Sequence, residues 1–236
     1  MKKIILTCEH GGAEIPRVYK KIFKNHASVL KTHRGLDLGA LGIAKQLQKN
    51  LQSPLYFSVI SRLLVDLNRF LTSTTLWSEF TKDLSQSEKQ KILAKYYLPH
   101  WNKVQKRILA LAKLRIRVFH IAVHSMTDRL DDDVRKMQLA LLYDPRRTQE
   151  KKLVKIWMQE LRKEFPGFLI AQNKPYHGAG EGLTSALRVQ IEDQYYVGIE
   201  LEMNQGYLKL LSSRQAKTAF SESLSQSLTR AIAQIE

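Results

Sequence analysis

The chain predicts an α/β fold, and three observations carry that prediction. Short apolar runs alternate with longer amphipathic stretches along the sequence. Polar clusters stand directly after several of the apolar runs. No repeat, low-complexity tract or linker breaks the pattern, so residues 1–236 are expected to form one domain.

The elements follow in order. Residues 4–7 read as a short buried strand and residues 39–51 as a helix, with Leu41, Ala44, Leu47 and Leu51 at helical spacing. Residues 55–60 and 63–65 look extended. Residues 85–114 form a long helical region, which Pro99 should break or kink because it lacks an N–H and its ring clashes with the preceding turn. Residues 118–123 and 139–143 are strands, and residues 149–165 form a helix that stops before Pro166-Gly167. Strands over 168–171 and 196–201 and a terminal helix over 212–235 complete the reading.

Composition narrows the class. Hydrophobic residues make up 44% and charged residues 25%, close to the average for a globular domain with a sizeable core. The net charge is +16, from 38 Lys and Arg against 22 Asp and Glu spread along the chain. A solvated basic surface accounts for this, and so does steering of anionic ligands. No zinc-finger spacing, RNP-type strand or sustained basic helix is present, so no nucleic-acid partner is expected. No stretch approaches the ~20 apolar residues of a membrane span, so no membrane partner is expected either. The single cysteine, Cys8, excludes an intrachain disulfide and a multi-cysteine metal site. The first eight residues hold too short an apolar run for a signal, and a cytoplasmic protein is the expectation.

In open α/β sheets ligands bind beyond the carboxyl ends of the strands. The informative residues stand there. Glu9-His10-Gly11-Gly12 ends the first strand, its glycines allowing a tight turn and close approach to a ligand or metal. His124 follows the apolar run Ile121-Ala122-Val123. Either histidine alone is as well explained by a surface turn, but two that each end a core strand point to metal ligands. A catalytic zinc takes three protein ligands and leaves one position open. Glu14 and Asp37 are both candidates for the third.

Arg62-Leu63-Leu64-Val65-Asp66-Leu67-Asn68-Arg69 gathers two arginines, an aspartate and an asparagine around one apolar run. Such a cluster suits a carboxylate-bearing substrate, and it equally suits an internal salt-bridge network. Glu200 and Glu202 alternate along a strand and share a face, where either could act as a general base. Residues 173–182 form a glycine-rich loop without the Lys-Ser/Thr ending of a phosphate loop, and a mobile flap over the site is the expectation.

These motifs together resemble the N-formylglutamate amidohydrolase family. Glu9-His10-Gly11 with Pro16, the block from Arg62 to Arg69, His124-Ser125, Asn173-Lys174-Pro175-Tyr176 and Leu201-Glu202-Met203 occur in the family's order over residues 4–208. The resemblance implies a three-layer α/β/α fold with a mixed central sheet, phosphorylase/hydrolase-like, shared with aspartoacylases and zinc carboxypeptidases. It implies Zn²⁺ held by His10 and His124, with Arg62 stabilising the oxyanion and Glu202 activating the attacking water. Asn68, Arg69 and Tyr176 would contact a small anionic substrate, an N-acyl amino acid. In the carboxypeptidase pattern a glutamate stands three residues after the first histidine, where this chain has Ala13 and only then Glu14. Formylglutamate-type sequences carry an aspartate further on, so the resemblance favours Asp37. An enzymatic rival is a zinc carboxypeptidase or amidase acting on a peptide, for example one from the cell wall. A rival from a different class is a non-catalytic basic anion-binding protein that has lost its metal, and the intact His10, His124, Arg62 and Glu202 argue against it.

Overall fold

The computed structural model describes residues 1–235. The chain runs through β1 (Lys2–Cys8), α1 (Ala40–Leu51), β2 (Leu55–Phe57), α2 (Gln86–Ile92), α3 (Leu98–Lys113), β3 (Arg117–Met126), β4 (Arg129–Leu130) and β5 (Asp133–Val134). It continues through β6 (Leu139–Leu142), α4 (Thr148–Glu164), β7 (Ile170–Gln172), α5 (Leu183–Gln190), β8 (Tyr196–Asn204), α6 (Gln205–Leu210) and α7 (Arg214–Ala233). Among the described residues, six strands form one sheet in the order β2-β1-β3-β8-β6-β7. β6 runs antiparallel to β8, and every other neighbouring pair is parallel. No helix among the described residues is long and apolar enough to cross a membrane.

Strand alternation sorts the core into two layers of packing. Leu6 and Cys8 of β1, Ile121 and Val123 of β3 and Ile199 and Leu201 of β8 face α1, α4 and α7. Ile5, Val118 and Tyr196 face the opposite way, toward Val104 and Ile108 of α3 and Leu187 of α5. The sheet is therefore sandwiched in a three-layer α/β/α arrangement. Each fully buried aliphatic side chain contributes roughly 1.5–3 kcal/mol by leaving water. Trp157 of α4 is 1% exposed and its indole N–H donates to Ser227 Oγ of α7 at 3.0 Å, so its burial leaves no unpaired polar atom. The same alternation gives the α3 and α5 face to the polar positions of the central strands, and the site is built there.

Several expectations need correction. Residues 63–65 are not a strand but part of a turn, in which Leu64 N donates to Ser61 O at 2.9 Å. Leu63, Leu64, Val65 and Leu67 are all buried, so the apolar run reflects a loop plugged into the core on every side rather than a pleated face. The helical region does not break at Pro99. A π-helical turn, Leu93–Tyr97, joins α2 to α3, and Pro99 falls in the first turn of α3, where a missing N–H costs little. β2 ends at Phe57, Ile60 keeps only an isolated bridge to Glu14, and β7 lies two residues beyond its expected start. The β4–β5 hairpin, α5 and α6 were not foreseen.

Candidate active site

The paired positions of β3 and β8 set the floor of the site. His124 is opposite Glu202 in the parallel register, and both lie near the carboxyl ends of their strands. His10 stands two residues past β1, in the same direction. Its carbonyl accepts from Asp37 N at 2.9 Å, a link that draws the segment before α1 into the site. The glycines after His10 allow close packing against the segment that follows β2, since a Cβ at Gly12 would sit 2.4 Å from Val59 O.

Two histidines and an aspartate converge. One donor atom from each of His10, Asp37 and His124 lies within 4.8 Å of the others, and all three residues are buried. His124 Nδ1 is 2.8 Å and His10 Nδ1 3.5 Å from Asp37 Oδ2. Each imidazole turns its other nitrogen to a second buried carboxylate. His10 Nε2 is 2.7 Å from Asp66 Oδ1, and His124 Nε2 is 3.3 Å from Glu9 Oε2. As the ring stands, His124 Nδ1–H donates to Asp37 Oδ2; with a metal bound, the carboxylate behind Nε2 would hold the proton there and leave Nδ1 to ligate. His10 Nδ1 has no hydrogen-bond partner among the described residues. Two imidazole nitrogens and one carboxylate oxygen, with an unpaired donor at their centre, fit a catalytic zinc. Glu14 is exposed and stands outside this cluster.

The electrostatics are those of a cation site. Burial opposes charge on Asp66, but Arg62 and His10 outweigh it and hold the carboxyl well below its usual range. Burial likewise opposes charge on Glu9, and His100 and His124 beside it keep it ionised. His124 itself is pushed well above its ordinary value, because Asp37 and Glu9 outweigh its burial. A dication held by His10, Asp37 and His124 would replace the His124 proton while neutralising the same carboxylates.

Glu202 differs from its neighbours. Burial pushes its pKa up to about 7, Asp37 and Glu200 adding to the effect while His124 opposes it. Its Oε2 has no hydrogen-bond partner among the described residues. Glu200 is tied down, accepting from Thr184 Oγ1 of α5 at 2.8 Å. Arg62 donates from Nε and Nη2 to Asp66 Oδ2, at 3.2 and 2.8 Å, so the salt-bridge reading of the motif is realised in part. Its Nη1 stands 3.6 Å from Asp37 Oδ1.

A cavity of about 400 Å³ opens over this floor, lined by His10, Asp37, His124, Glu202, Arg62, Asn68, Arg69 and Tyr176 among others. The structure thus brings every predicted site residue to one cavity. Asn68 Oδ1 accepts from Leu183 N at 3.1 Å, and the Arg69 guanidinium donates to Thr75 Oγ1 and to the Asn68 carbonyl. The glycine-rich loop does cover the cavity, but it is pinned. Asn173 Oδ1 accepts from Tyr143 N and Gly178 N, and Gly182, at φ +152°, packs where a Cβ would meet Asn68 Oδ1 at 2.6 Å. Sequence reasoning gave no role to Glu9 or Asp66 behind the histidines, although both lie within the motifs it singled out. His100, on α3, and Arg135, after the unforeseen hairpin, carried no local signal at all.

The family described as N-formylglutamate amidohydrolase matches residues 2–208. A gene product of Agrobacterium tumefaciens shares 23% identity over 99% of this chain and 92% of its own, with a TM-score of 0.83. The N-formylglutamate amidohydrolase from Ralstonia eutropha shares 16% identity over 100% of this chain and 95% of its own, with a TM-score of 0.71. At these identities the likeness is one of fold. No curated protein sequence matches the chain.

Proposed function

This chain belongs to the N-formylglutamate amidohydrolase family, whose members are hydrolases acting on an amide, and on that premise we propose that it is a zinc-dependent enzyme cleaving N-formyl-L-glutamate to formate and L-glutamate. One observation carries the reading: the Nδ1 atoms of His10 and His124 and a carboxylate oxygen of Asp37 meet in the cavity, each histidine backed by its own carboxylate. A bound zinc supplies Lewis-acid polarisation of the scissile carbonyl and brings the pKa of a water to about 7.

The chain's own residues supply the rest. Glu202, with an unpartnered carboxylate oxygen in the cavity, accepts a proton from the attacking water and returns it to the departing amide nitrogen. Arg62 keeps two nitrogens on Asp66 and offers Nη1 to the developing oxyanion. Asn68 and Arg69 hold the substrate α-carboxylate, and the +16 chain charge draws small anions toward the cavity.

The test joins metal analysis to a substrate panel. Purified protein should carry about one zinc per chain and hydrolyse N-formyl-L-glutamate. It should favour a free α-carboxylate over the corresponding amide by roughly ten- to a hundredfold, the contribution of one charged hydrogen bond. Arg69→Ala should erase most of that preference. Equal rates on acid and amide in the unmutated protein would remove the basis for assigning an acidic substrate.

A further inference from the structure

Arg135 is the most unusual charged residue outside the cluster just described. It follows β5, its side chain is 3% exposed, and its Nε has no hydrogen-bond partner, the Asp133 carboxylate standing 3.7 Å away. Its Nη1 donates to Tyr176 Oη at 2.9 Å and, more weakly, to Thr127 O at 3.4 Å. The guanidinium carbon lies 5.1 Å from the centre of the Tyr176 ring. The backbone on either side is fixed, with Arg135 N donating to Asp128 O at 2.9 Å and Asn204 Nδ2 to Arg135 O at 2.9 Å. A buried guanidinium is thus braced behind a tyrosine that lines the cavity.

The chemistry of that pair is directional. A phenol has one O–H and a limited set of lone pairs, and Arg135 already donates to the oxygen. The Tyr176 proton is left to find an acceptor, and Tyr176, 44% exposed, faces the cavity. A hydroxyl beside a guanidinium is a stronger donor, and its best acceptor is an anion. The Arg135 charge is felt at the cavity wall: burial, then Arg135, pushes the pKa of the lining residue His33 downward. Asn68 and Arg69 belong to the turn after residue 62, whereas Tyr176 and Arg135 come from the glycine-rich loop and the hairpin. Tyr176 lines the same cavity as Asn68 and Arg69, so the wall holds a further donor, from a different segment of the chain, for a second carboxylate.

We propose that Arg135 is a positioning residue for Tyr176, and that the Tyr176 hydroxyl so held is the specificity contact to a second substrate carboxylate, that of the amino-acid side chain. The inference rests on the amidohydrolase reading and adds the residues that select an acidic side chain over its neutral isostere. Arg135 acts through Tyr176, so removing either should have the same consequence, and removing both should add little.

The experiment compares kcat/KM on N-formyl-L-glutamate and N-formyl-L-glutamine for the zinc-loaded full chain. Variants are Tyr176→Phe, Arg135→Gln, Arg135→Lys and the Tyr176→Phe/Arg135→Gln double. Tyr176→Phe and Arg135→Gln should each reduce the acid-to-amide ratio roughly ten- to a hundredfold, mainly through KM on the acid. The double variant should fall no further than the worse single, and Arg135→Lys should recover part of the ratio. Equal loss on both substrates in Arg135→Gln, or an unchanged ratio in Tyr176→Phe, would overturn the assignment. Tyr176→Phe removes one hydroxyl from a residue 44% exposed, so it decides the carboxylate contact even if Arg135→Gln fails to fold, and Arg135→Lys, which keeps the charge, then decides the positioning role. An unmutated protein that hydrolyses neither substrate overturns the amidohydrolase reading and this inference together. One that prefers the acid while every variant keeps its preference overturns this inference alone.

Discussion

His120 and His124 sit on the same face of β3, four residues apart and equally hidden from solvent, yet they belong to different regions of the molecule. In the middle of the sheet, His120 meets Thr7 Oγ1 at 2.9 Å and the Tyr196 hydroxyl at 2.7 Å, both neutral partners. Burial then pushes its pKa down to about 4, and the ring stays uncharged. Two pleat repeats further along, at the carboxyl edge, His124 stands between the carboxylates of Asp37 and Glu9. A buried neutral ring with both nitrogens paired costs little, whereas a cluster of buried carboxylates costs several kcal/mol for each one left uncompensated. A fold tolerates the second arrangement where a cation, or the chemistry it enables, returns that energy. The difference between the two histidines therefore lies in the charge of what surrounds them, not in their burial or in the strand that carries them.

The largest effect should come from the proposed zinc ligands. His10→Ala and His124→Ala should each lose most of the bound zinc and reduce hydrolysis to background, while His120→Gln keeps its metal. Elemental analysis across the three variants checks this, and zinc undiminished in both ligand variants would erase the distinction. Next comes Glu202→Gln, which preserves shape and removes proton acceptance. The rate should fall ~10²–10⁴-fold with zinc content unchanged. Glu200 is already engaged by Thr184, so Glu200→Gln should fall less, and the reverse order would exchange their roles. A smaller effect is expected behind the histidines. Glu9→Gln should weaken zinc affinity by roughly 10–100-fold, the usual cost of losing a carboxylate behind a metal-bound imidazole. Competition with a chelator measures it, and unchanged affinity would make Glu9 a bystander.

How much of this was readable in the sequence depends on which interactions are local. β1, β3 and β8 declare themselves through continuous β-branched and aromatic runs, and the polar residues that end them stand out by contrast. His10 and His124 came forward in that way. Asp37 and Glu14 could not be separated by spacing, because Asp37 reaches the site through a hydrogen bond to the His10 carbonyl that no periodicity encodes. The run Leu63-Leu64-Val65 read as a strand because burial on all sides of a turn leaves the same apolar signature as burial on both faces of a sheet. His100 and Arg135 were silent for a further reason. A lone histidine on a helix and a lone arginine after a hairpin acquire meaning only from Glu9 and Tyr176, residues 91 and 41 positions away in the chain.

The smallest effect on activity, and the sharpest test of the mid-sheet region, concerns acid stability. His120 is held neutral in the fold with a pKa of about 4, while an unfolded chain protonates its histidines near 6.5. Between those values the unfolded state binds more protons, so stability falls as pH falls through this window and is lost from this group below it. The gap corresponds to about 3 kcal/mol, and for a chain of this size that is on the order of 5–10 °C in melting temperature. His120→Gln places a neutral amide with a donor and an acceptor beside Thr7 and Tyr196. It should melt lower than the unmutated protein at neutral pH, from lost packing, yet decline less steeply between pH 6.5 and 4. All other titrating groups are common to both proteins, so the difference in slope isolates this imidazole. Parallel melting curves across the window would mean that His120 is protonated in the fold, and the contrast with His124 would then lose its physical basis.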